Sequence, residues 1–247
     1  MLKTLRTLRK EKPLILNITN FVTMDFVANG LLSLGGLPIM CHAENEIEDL
    51  VKLASAVVIN LGTLNSEFIL LCKKACEVAN QLNKPIILDP VGAGASHYRT
   101  DSNLFFLTNY KIAVIRGNAS EIEALSINSH ETKGVDSTIE TEAVIDNAIL
   151  ISQEYNSAVV ITGKTDVIID QDNLIALNIG SAMMKKVTGM GCLLSAVIAA
   201  FHAVEKNRFE AAKAAVKFYG RCGEIAEKKS QGPGSFRVQF LDALHNL

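Results

Sequence analysis

The sequence predicts an α/β fold in which helices cover both faces of a mostly parallel central sheet. Three observations lead to this fold class. Short runs rich in β-branched residues alternate with longer helical patterns, the runs are almost continuously apolar, and no linker or break in composition divides them. Continuous apolar strands are typical of parallel sheets that are buried on both faces. We therefore expect a single domain that spans residues 1–247.

The composition excludes several classes of protein. Of the 247 residues, 49% are hydrophobic, which is ample material for a layered core. The formal net charge of -2 gives no basic surplus for a nucleic-acid partner, so we expect a small-molecule substrate. No apolar run reaches the roughly 18 residues that a membrane span needs, and we expect a cytoplasmic protein without a membrane partner. Five irregularly spaced cysteines, an odd number, favour free thiols in a reducing compartment.

The N-terminal half of the chain predicts helices and strands in alternation. Residues 1–17 are basic and periodic, and predict a short amphipathic helix. Asn20 or Thr19 is expected to cap a helix through VTMDFVANGLLSL, which ends at Gly35 and Gly36 before the strand LPIMC. Two further helix and strand pairs follow: EIEDLVKLA with AVVIN, and EFILLCKKACEVANQL with PIILD.

The C-terminal half continues the alternation with the strands KIAVIR and SAVVIT. TDVIID and LIALN predict a hairpin near one edge of the sheet, and three helices finish the chain. Four of the predicted strands end in polar residues: Asn60, Asp89, Arg116 and Thr162. Ligands of open α/β sheets bind beyond the carboxyl ends of the strands, so these side chains are expected to line one crevice. The alternative is that the strands simply end in polar residues at the surface.

A glycine-rich turn at residues 188–192 runs directly into an apolar helix. Gly189, Met190, Gly191 and Cys192 would let several backbone N–H groups converge on a phosphate, and the positive end of the helix dipole would support the anion. Cys192 would lie at the mouth of this helix, where we expect the dipole to lower the pKa of its thiol. The alternative is a packed glycine-rich loop with a buried cysteine.

Two more segments suit a bound nucleotide. Asp89 stands in LDPVGAGAS, and Arg116 precedes Glu121 in RGNASE. Arg116 would grip phosphate oxygens, while Asp89 and Glu121 would hold Mg²⁺ mainly through its water ligands. For Glu121 the alternative is a first-turn residue favoured by the helix dipole. For Thr162 and the two residues that follow it, the alternative to a nucleotide contact is a hairpin turn.

Six segments of the chain resemble the hydroxyethylthiazole kinase family. They read NITNFVTMDFVANGLLSLG, LDPVGAGAS with YRT, IRGNASEI, ITGKTDVI, KVTGMGC and GPGSF. The resemblance spans nearly the whole chain and implies a three-layer, ribokinase-like fold. It also implies ATP-dependent phosphorylation of 4-methyl-5-(2-hydroxyethyl)thiazole on its hydroxyl, a step of thiamine salvage, by a homotrimer whose active sites lie between subunits.

The resemblance further implies roles for individual residues. Cys192 would stand where related sugar kinases carry an aspartate base, and would deprotonate or orient the alcohol. Met190 departs from the smaller residue that is usual in TGxGC, and we expect it to change packing or substrate fit rather than the chemistry. The implied ligand contacts are Met40, Gly189 and Asn20 for the thiazole, Arg116 and Thr162 for ATP, and Asp89 and Glu121 for Mg²⁺.

Three other functions stay open on the sequence. One is a kinase of the same fold that acts on hydroxymethylpyrimidine, pyridoxal or a sugar. The second is a lyase that uses ATP to repair hydrated nicotinamide nucleotides. The third is a nucleotide-binding regulator without turnover, which the combination of Asp89, Glu121 and Cys192 disfavours.

Overall fold

The computed structural model describes residues 1–126 and 144–247. Its strands are β1 (Leu14–Ile18), β2 (Leu37–Met40), β3 (Ala56–Asn60), β4 (Ile86–Asp89), β5 (Val114–Asn118), β6 (Ala158–Thr162), β7 (Asp166–Asp170) and β8 (Asn173–Leu177). Its α-helices are α1 (Leu2–Glu11), α2 (Met24–Leu34), α3 (Ile47–Leu53), α4 (Ser66–Gln81), α5 (His97–Asn109), α6 (Ala119–Glu123), α7 (Ile145–Glu154), α8 (Met190–Val204), α9 (Arg208–Lys229) and α10 (Pro233–Asn246).

The strands form one sheet in the order β2-β1-β3-β4-β5-β6-β7-β8. Every pairing from β2 through β6 is parallel, whereas β7 is antiparallel to both β6 and β8. This confirms the mostly parallel sheet and the predicted hairpin at one edge. The register places Asn60 beside Asp89, and Asn118 beside Thr162.

Helices cover both faces of the sheet, as the sequence predicts. Successive strand residues point to opposite faces, so Val58 and Val160 pack with α1, α2, α8, α9 and α10. Their neighbours Val57 and Val159 pack on the other side with α3, α4, α5, α6 and α7. Both sets are buried, which explains why the strand sequences are continuously apolar.

The first strand corrects the prediction of a helix over residues 1–17. Helix α1 ends at Glu11, Lys12 adopts a left-handed conformation with φ of 49°, and Pro13 follows. Leu14–Ile18 then enters the sheet between β2 and β3. The helical pattern ends at the proline, and the apolar run after it is buried inside the sheet.

The start of α2 also differs from the prediction. The N-cap position belongs to Thr23, and neither Asn20 nor Thr19 caps the helix. The Asn20 side chain instead bonds to Asn60 and Cys192, residues that are distant in sequence. A polar residue just before an apolar helix is typical of an N-cap, but the Asn20 side chain instead lies at the crevice.

None of the helices in the described parts of the chain is both long and apolar enough to cross a bilayer. All five cysteines are free thiols, as their irregular spacing predicts.

Candidate active site

The polar residues predicted to share a crevice do converge at the carboxyl ends of the central strands. Asn60 donates to Asp89, and Arg116 reaches both Asp89 and Thr162. Arg116 lies two residues before the end of β5, which continues to Asn118. The N-terminus of α8 borders the same crevice through Gly191, which lies against the Arg116 guanidinium.

Asp89 is the buried charge at the centre of this crevice. Its Oδ2 accepts hydrogen bonds from Asn60 Nδ2 at 2.9 Å and from Ser195 Oγ at 2.8 Å. Its Oδ1 is buried and has no hydrogen-bond partner among the described residues. Complete burial raises the pKa of Asp89 to about 6, although Arg116 and the two hydrogen bonds oppose this shift. This oxygen is therefore available to accept a hydrogen bond or to contact a cation.

Arg116 stands between Asp89 and the hairpin. Its Nη2 donates to Thr162 Oγ1 at 2.5 Å, and its Nη1 lies 3.6 Å from Asp89 Oδ2. Burial disfavours the charged guanidinium, but the carboxylates of Asp89 and Glu121 outweigh burial and raise the pKa of Arg116. Its Nε is buried without a partner among the described residues. The guanidinium therefore keeps donors that an anion would satisfy.

Glu121 performs the structural role that the sequence left as an alternative. Its Oε2 accepts from Asn118 N at 2.9 Å, which closes a capping box at the start of α6. Its Oε1 accepts from Gly92 N at 2.9 Å and so fixes the loop after β4. Each carboxylate oxygen retains a second lone pair, so a contact to a metal-bound water remains compatible with this role.

A metal held by several protein ligands does not fit this crevice. Across residues 1–126 and 144–247, no group of three or more His, Cys, Asp and Glu side chains is arranged to hold a metal ion. Asp89 and Glu121 are close enough for the charge of Glu121 to raise the pKa of Asp89. Two neighbouring carboxylates, one with an unpaired oxygen, suit Mg²⁺ that keeps most of its waters and shares substrate phosphates.

The start of α8 has the geometry of an anion-binding turn. Gly189 occupies the N-cap with φ of 91°, a conformation that favours glycine. The first helical hydrogen bond runs from Leu193 N to Gly189 O at 2.8 Å. The backbone N–H groups of Met190, Gly191 and Cys192 precede that bond and are left for an external acceptor.

Met190, the departure from the family pattern, points away from this turn into the core. Its side chain is 6% exposed, and Tyr219 Oη donates to its carbonyl oxygen at 2.7 Å and contacts its Sδ at 3.3 Å. The methionine therefore anchors the first turn of α8 on α9.

Cys192 lies at the helix mouth, but the predicted lowering of its pKa is wrong. Burial, and then the negative charge of Asp89, raise the pKa of the Cys192 thiol above its ordinary value. Thr23, Arg116 and Asn20 oppose the rise without cancelling it. The helix dipole is a local feature visible in sequence, whereas the burial and the nearby carboxylate are supplied by the tertiary fold.

Asn20, Thr23 and Gly189 form the side of the crevice next to Cys192. Asn20 Nδ2 donates to Cys192 Sγ at 3.3 Å. A Cβ placed on Gly189 would lie 3.0 Å from Thr23 Cγ2, so this glycine lets the turn approach α2 closely. Met40 ends β2 at the outer edge of the parallel strands, level with Asn17 of β1. No described contact joins Met40 directly to Cys192.

Three polar side chains near the crevice were not predicted from the sequence: Ser195, Thr23 and Asp166. Ser195, one turn after Cys192 on α8, donates to Asp89, and its position within an apolar helix was the available signal. Thr23 Oγ1 is buried without a hydrogen-bond partner of ordinary geometry among the described residues. Asp166 begins β7, and burial raises its pKa to about 6. Thr162 leads into the hairpin turn that was the alternative to a nucleotide contact, and its hydroxyl still contacts Arg116.

Comparison with known proteins matches the sequence and the fold of the chain to one family. Residues 5–247 match the model of the hydroxyethylthiazole kinase family. A hydroxyethylthiazole kinase from Desulfotalea psychrophila is 43% identical, over 99% of this chain and 90% of its own length. The solved structure of a hydroxyethylthiazole kinase protein from Pyrococcus horikoshii has a TM-score of 0.92 at 39% identity, over 99% of this chain and 92% of its own.

More distant solved structures share the fold alone. A ribokinase-like superfamily protein from Enterococcus faecalis has a TM-score of 0.70 at 14% identity, and the match covers 96% of this chain and 88% of that one. The three-layer, ribokinase-like architecture expected from the sequence is thus confirmed.

Proposed function

The chain belongs to the hydroxyethylthiazole kinase family, and on that premise we propose that it transfers the γ-phosphoryl group of ATP to the hydroxyl of 4-methyl-5-(2-hydroxyethyl)thiazole in thiamine salvage. One observation carries the proposal. Asp89, Arg116 and the unpaired N–H groups of the α8 turn, which phosphoryl transfer requires together, border a single crevice beside Cys192.

ATP phosphates bind in the part of the crevice that we call the phosphate half, which consists of Arg116, Thr162 and the α8 turn at Gly191. Arg116 neutralises phosphate charge, and Thr162 orients the guanidinium through its 2.5 Å hydrogen bond. The N–H groups at the start of α8 stabilise the charge on the transferring phosphoryl group. Gly191 is essential here, because a Cβ at this position would lie 2.8 Å from Arg116 Nη2.

Asp89 and Glu121 are the residues that would hold Mg²⁺ with the nucleotide. When bound, Mg²⁺ would neutralise the charge that develops on the phosphates. The unpaired Oδ1 of Asp89 supports a contact to the ion or one of its waters, while Glu121 contributes through water because both of its oxygens already accept backbone N–H groups.

The thiazole alcohol binds in the part that we call the acceptor half, which consists of Asn20, Thr23, Asn60 and Cys192. The backbones of Gly189 and Met40 contact the heterocycle, as the family resemblance implies. The buried Thr23 hydroxyl, which has no hydrogen-bond partner of ordinary geometry among the described residues, supplies a polar contact that no sequence pattern indicated.

Cys192 orients the alcohol or, in its thiolate form, accepts the proton of the alcohol as the oxygen attacks the γ-phosphorus and ADP leaves. Because the pKa of the thiol is raised, little thiolate is present at neutral pH, and orientation is the larger part of its contribution.

The active assembly is a homotrimer whose active sites lie between subunits, and the whole chain acts as one domain in the cytoplasm. Phe21 and Val22, which separate Asn20 from Thr23, are 58% and 71% exposed. A neighbouring subunit that covers them would enclose the acceptor half and exclude water from it. Light scattering on the purified protein measures the subunit number directly.

An ADP-release assay tests the proposed reaction. Purified protein with Mg-ATP is given the hydroxyethylthiazole, or, in parallel, hydroxymethylpyrimidine, pyridoxal or ribose, and product mass is measured. We expect ADP release that depends on the thiazole, and a product heavier by one phosphoryl group.

Two outcomes would contradict the proposal. Stronger stimulation by another alcohol would assign the chain to that substrate. ATP binding without stimulation by any alcohol would remove the kinase function, and formation of NADH from its hydrated form would then identify the repair lyase.

A further inference from the structure

A chain of hydrogen bonds leads from a backbone N–H to the sulfur of Cys192. Gly62 N donates to Asn60 Oδ1 at 3.1 Å. A backbone N–H can only donate, so this contact identifies the Asn60 atom as the oxygen and settles which way the amide points. Asn60 Nδ2 then faces Asp89 Oδ2 at 2.9 Å, where a donor is needed.

The same logic fixes the next amide in the chain. Asn60 Oδ1 is an acceptor, so Asn20 must present its nitrogen, and the two atoms are 2.9 Å apart. The second N–H of Asn20 Nδ2 points to Cys192 Sγ at 3.3 Å. With Asn20 in the opposite orientation, two oxygens would face each other in a buried site.

We propose that Asn60 is a positioning residue that acts through Asn20 to make the Cys192 sulfur a hydrogen-bond acceptor. The proposal rests on the role of Cys192 in the proposed function. When the Cys192 sulfur accepts a hydrogen bond from Asn20, the S–H hydrogen of the thiol can be donated to another group. The same N–H of Asn20 stabilises the negative charge when Cys192 is a thiolate.

The packing around the chain holds both amides in place. Asn60 is fully buried and Asn20 is 5% exposed, so water cannot readily substitute for their hydrogen bonds. A Cβ on Gly62 would lie 2.9 Å from Asn20 Cβ and 3.0 Å from Asn60 Oδ1. Glycine at this position therefore allows the backbone donor to reach the amide.

Several groups besides Asn20 act on the Cys192 thiol. Asp89 raises its pKa by charge, whereas Thr23 and Arg116 lower it. Asn60 also donates to Asp89. A substitution of Asn60 could therefore change the pKa of Cys192 in a second way, through the charge of the Asp89 carboxylate. The test must separate the route through Asn20 from the route through Asp89.

The test is the rate at which iodoacetamide alkylates Cys192 as a function of pH, followed by peptide mass spectrometry without ATP or thiazole. The other four cysteines are at most 1% exposed and serve as an internal check of folding. We expect Asn60→Leu to lower the alkylation rate of Cys192 about tenfold, the effect of losing one hydrogen bond to a charged group. Asn20→Leu, which does not touch Asp89, should lower it equally.

Ser195→Ala is the matched control, because it removes the other side-chain donor to Asp89 Oδ2 and leaves both asparagines intact. We expect a smaller effect from this variant. We also expect Asn60→Leu to have no further effect in protein that already carries Asn20→Leu.

Two results would overturn the inference: equal effects of Asn60→Leu and Ser195→Ala, or an undiminished effect of Asn60→Leu in the Asn20→Leu background. If Asn60→Leu does not fold, Asn20→Leu decides alone, and an unchanged alkylation rate in that variant overturns the inference. The readout contains no substrate, so its outcome is distinct from failure of the proposed kinase reaction.

Discussion

The two halves of the crevice achieve their polarity in different ways. In the acceptor half, the neutral amides of Asn20 and Asn60 are oriented by hydrogen bonds to each other and to the backbone. In the phosphate half, polarity comes from the charge of Arg116 and from a helix N-terminus, and Arg116 Nε has no partner among the described residues. The acceptor half therefore offers fixed, uncharged polar groups, which would suit the proposed neutral alcohol, whereas the phosphate half holds positive charge that would suit an anion.

Asp89 lies between the two halves, and the burial of its charge lowers the stability of the fold. It accepts a hydrogen bond from Asn60 of the acceptor half and pairs with Arg116 of the phosphate half. Its pKa of about 6 lies above the ordinary value of 3.8, so the folded protein binds this proton more tightly than the unfolded chain. The resulting stability is fully present below about pH 4 and is lost as the pH rises through 6.

Asp89→Asn should break the connection between the halves and have the largest effect. We expect kcat to fall about a thousandfold, because the carboxylate that would hold Mg²⁺ beside the phosphates is lost. The same variant should be more stable than the wild type at pH 8, by up to about 3 kcal/mol, and this gain should vanish near pH 4. Urea unfolding at pH 4, 6 and 8 measures the difference. If the variant were less stable than the wild type at pH 8, burial of the Asp89 charge would not destabilise the fold as described.

Gly191→Ala should disrupt the phosphate half alone. The added Cβ would lie 2.8 Å from Arg116 Nη2, and the displaced guanidinium should cost about a hundredfold in kcat/KM for ATP. Gly234→Ala is the matched control, since Gly234 is likewise the second residue of its helix but has open space around the Cβ position. Steady-state kinetics would contradict the anion turn if both variants kept wild-type activity.

Substitutions of Cys192 should affect the acceptor half less severely. We expect Cys192→Ala to lose about a hundredfold in kcat, because a thiol with a raised pKa is a poor base whose orienting role is still lost. Cys192→Asp should remain active, with Asn20 donating to the new carboxylate. The measurement is kcat between pH 6 and 9. A folded but inactive aspartate variant would remove Cys192 from both the base and the orienting role.

Much of the fold followed from the sequence because its signals are local. The apolar runs of β3, β4 and β6 and the β7–β8 hairpin all form where their patterns predicted. β1 was missed because it follows the helical pattern of α1 after a single proline, Pro13. The position of β1 inside the sheet is set by pairing with β2 and β3, which the local pattern does not show.

The residues at the strand ends could be predicted from the sequence, whereas their contacts and the pKa of Cys192 could not. Asn60, Asp89, Arg116 and Thr162 were each visible as a polar residue after an apolar run. The contact of Asn20 with Asn60 joins residues 40 positions apart, and that of Ser195 with Asp89 spans 106 positions. Burial in the tertiary fold and the charge of Asp89 raise the pKa of Cys192, so reasoning from its helix alone predicted the wrong direction.

A matched pair of substitutions tests the division of the crevice most directly. Thr23→Val and Thr162→Val remove the same hydroxyl group from the acceptor half and from the phosphate half. KM for the thiazole and for ATP would be measured for both variants and the wild type. We predict that Thr23→Val raises KM for the thiazole alone, about three- to tenfold, as expected for one lost neutral hydrogen bond. Thr162→Val, which loses the hydrogen bond from the charged Arg116, should raise KM for ATP alone, by about tenfold. An exchange of these effects, or equal changes in both constants, would contradict the account of two separate halves.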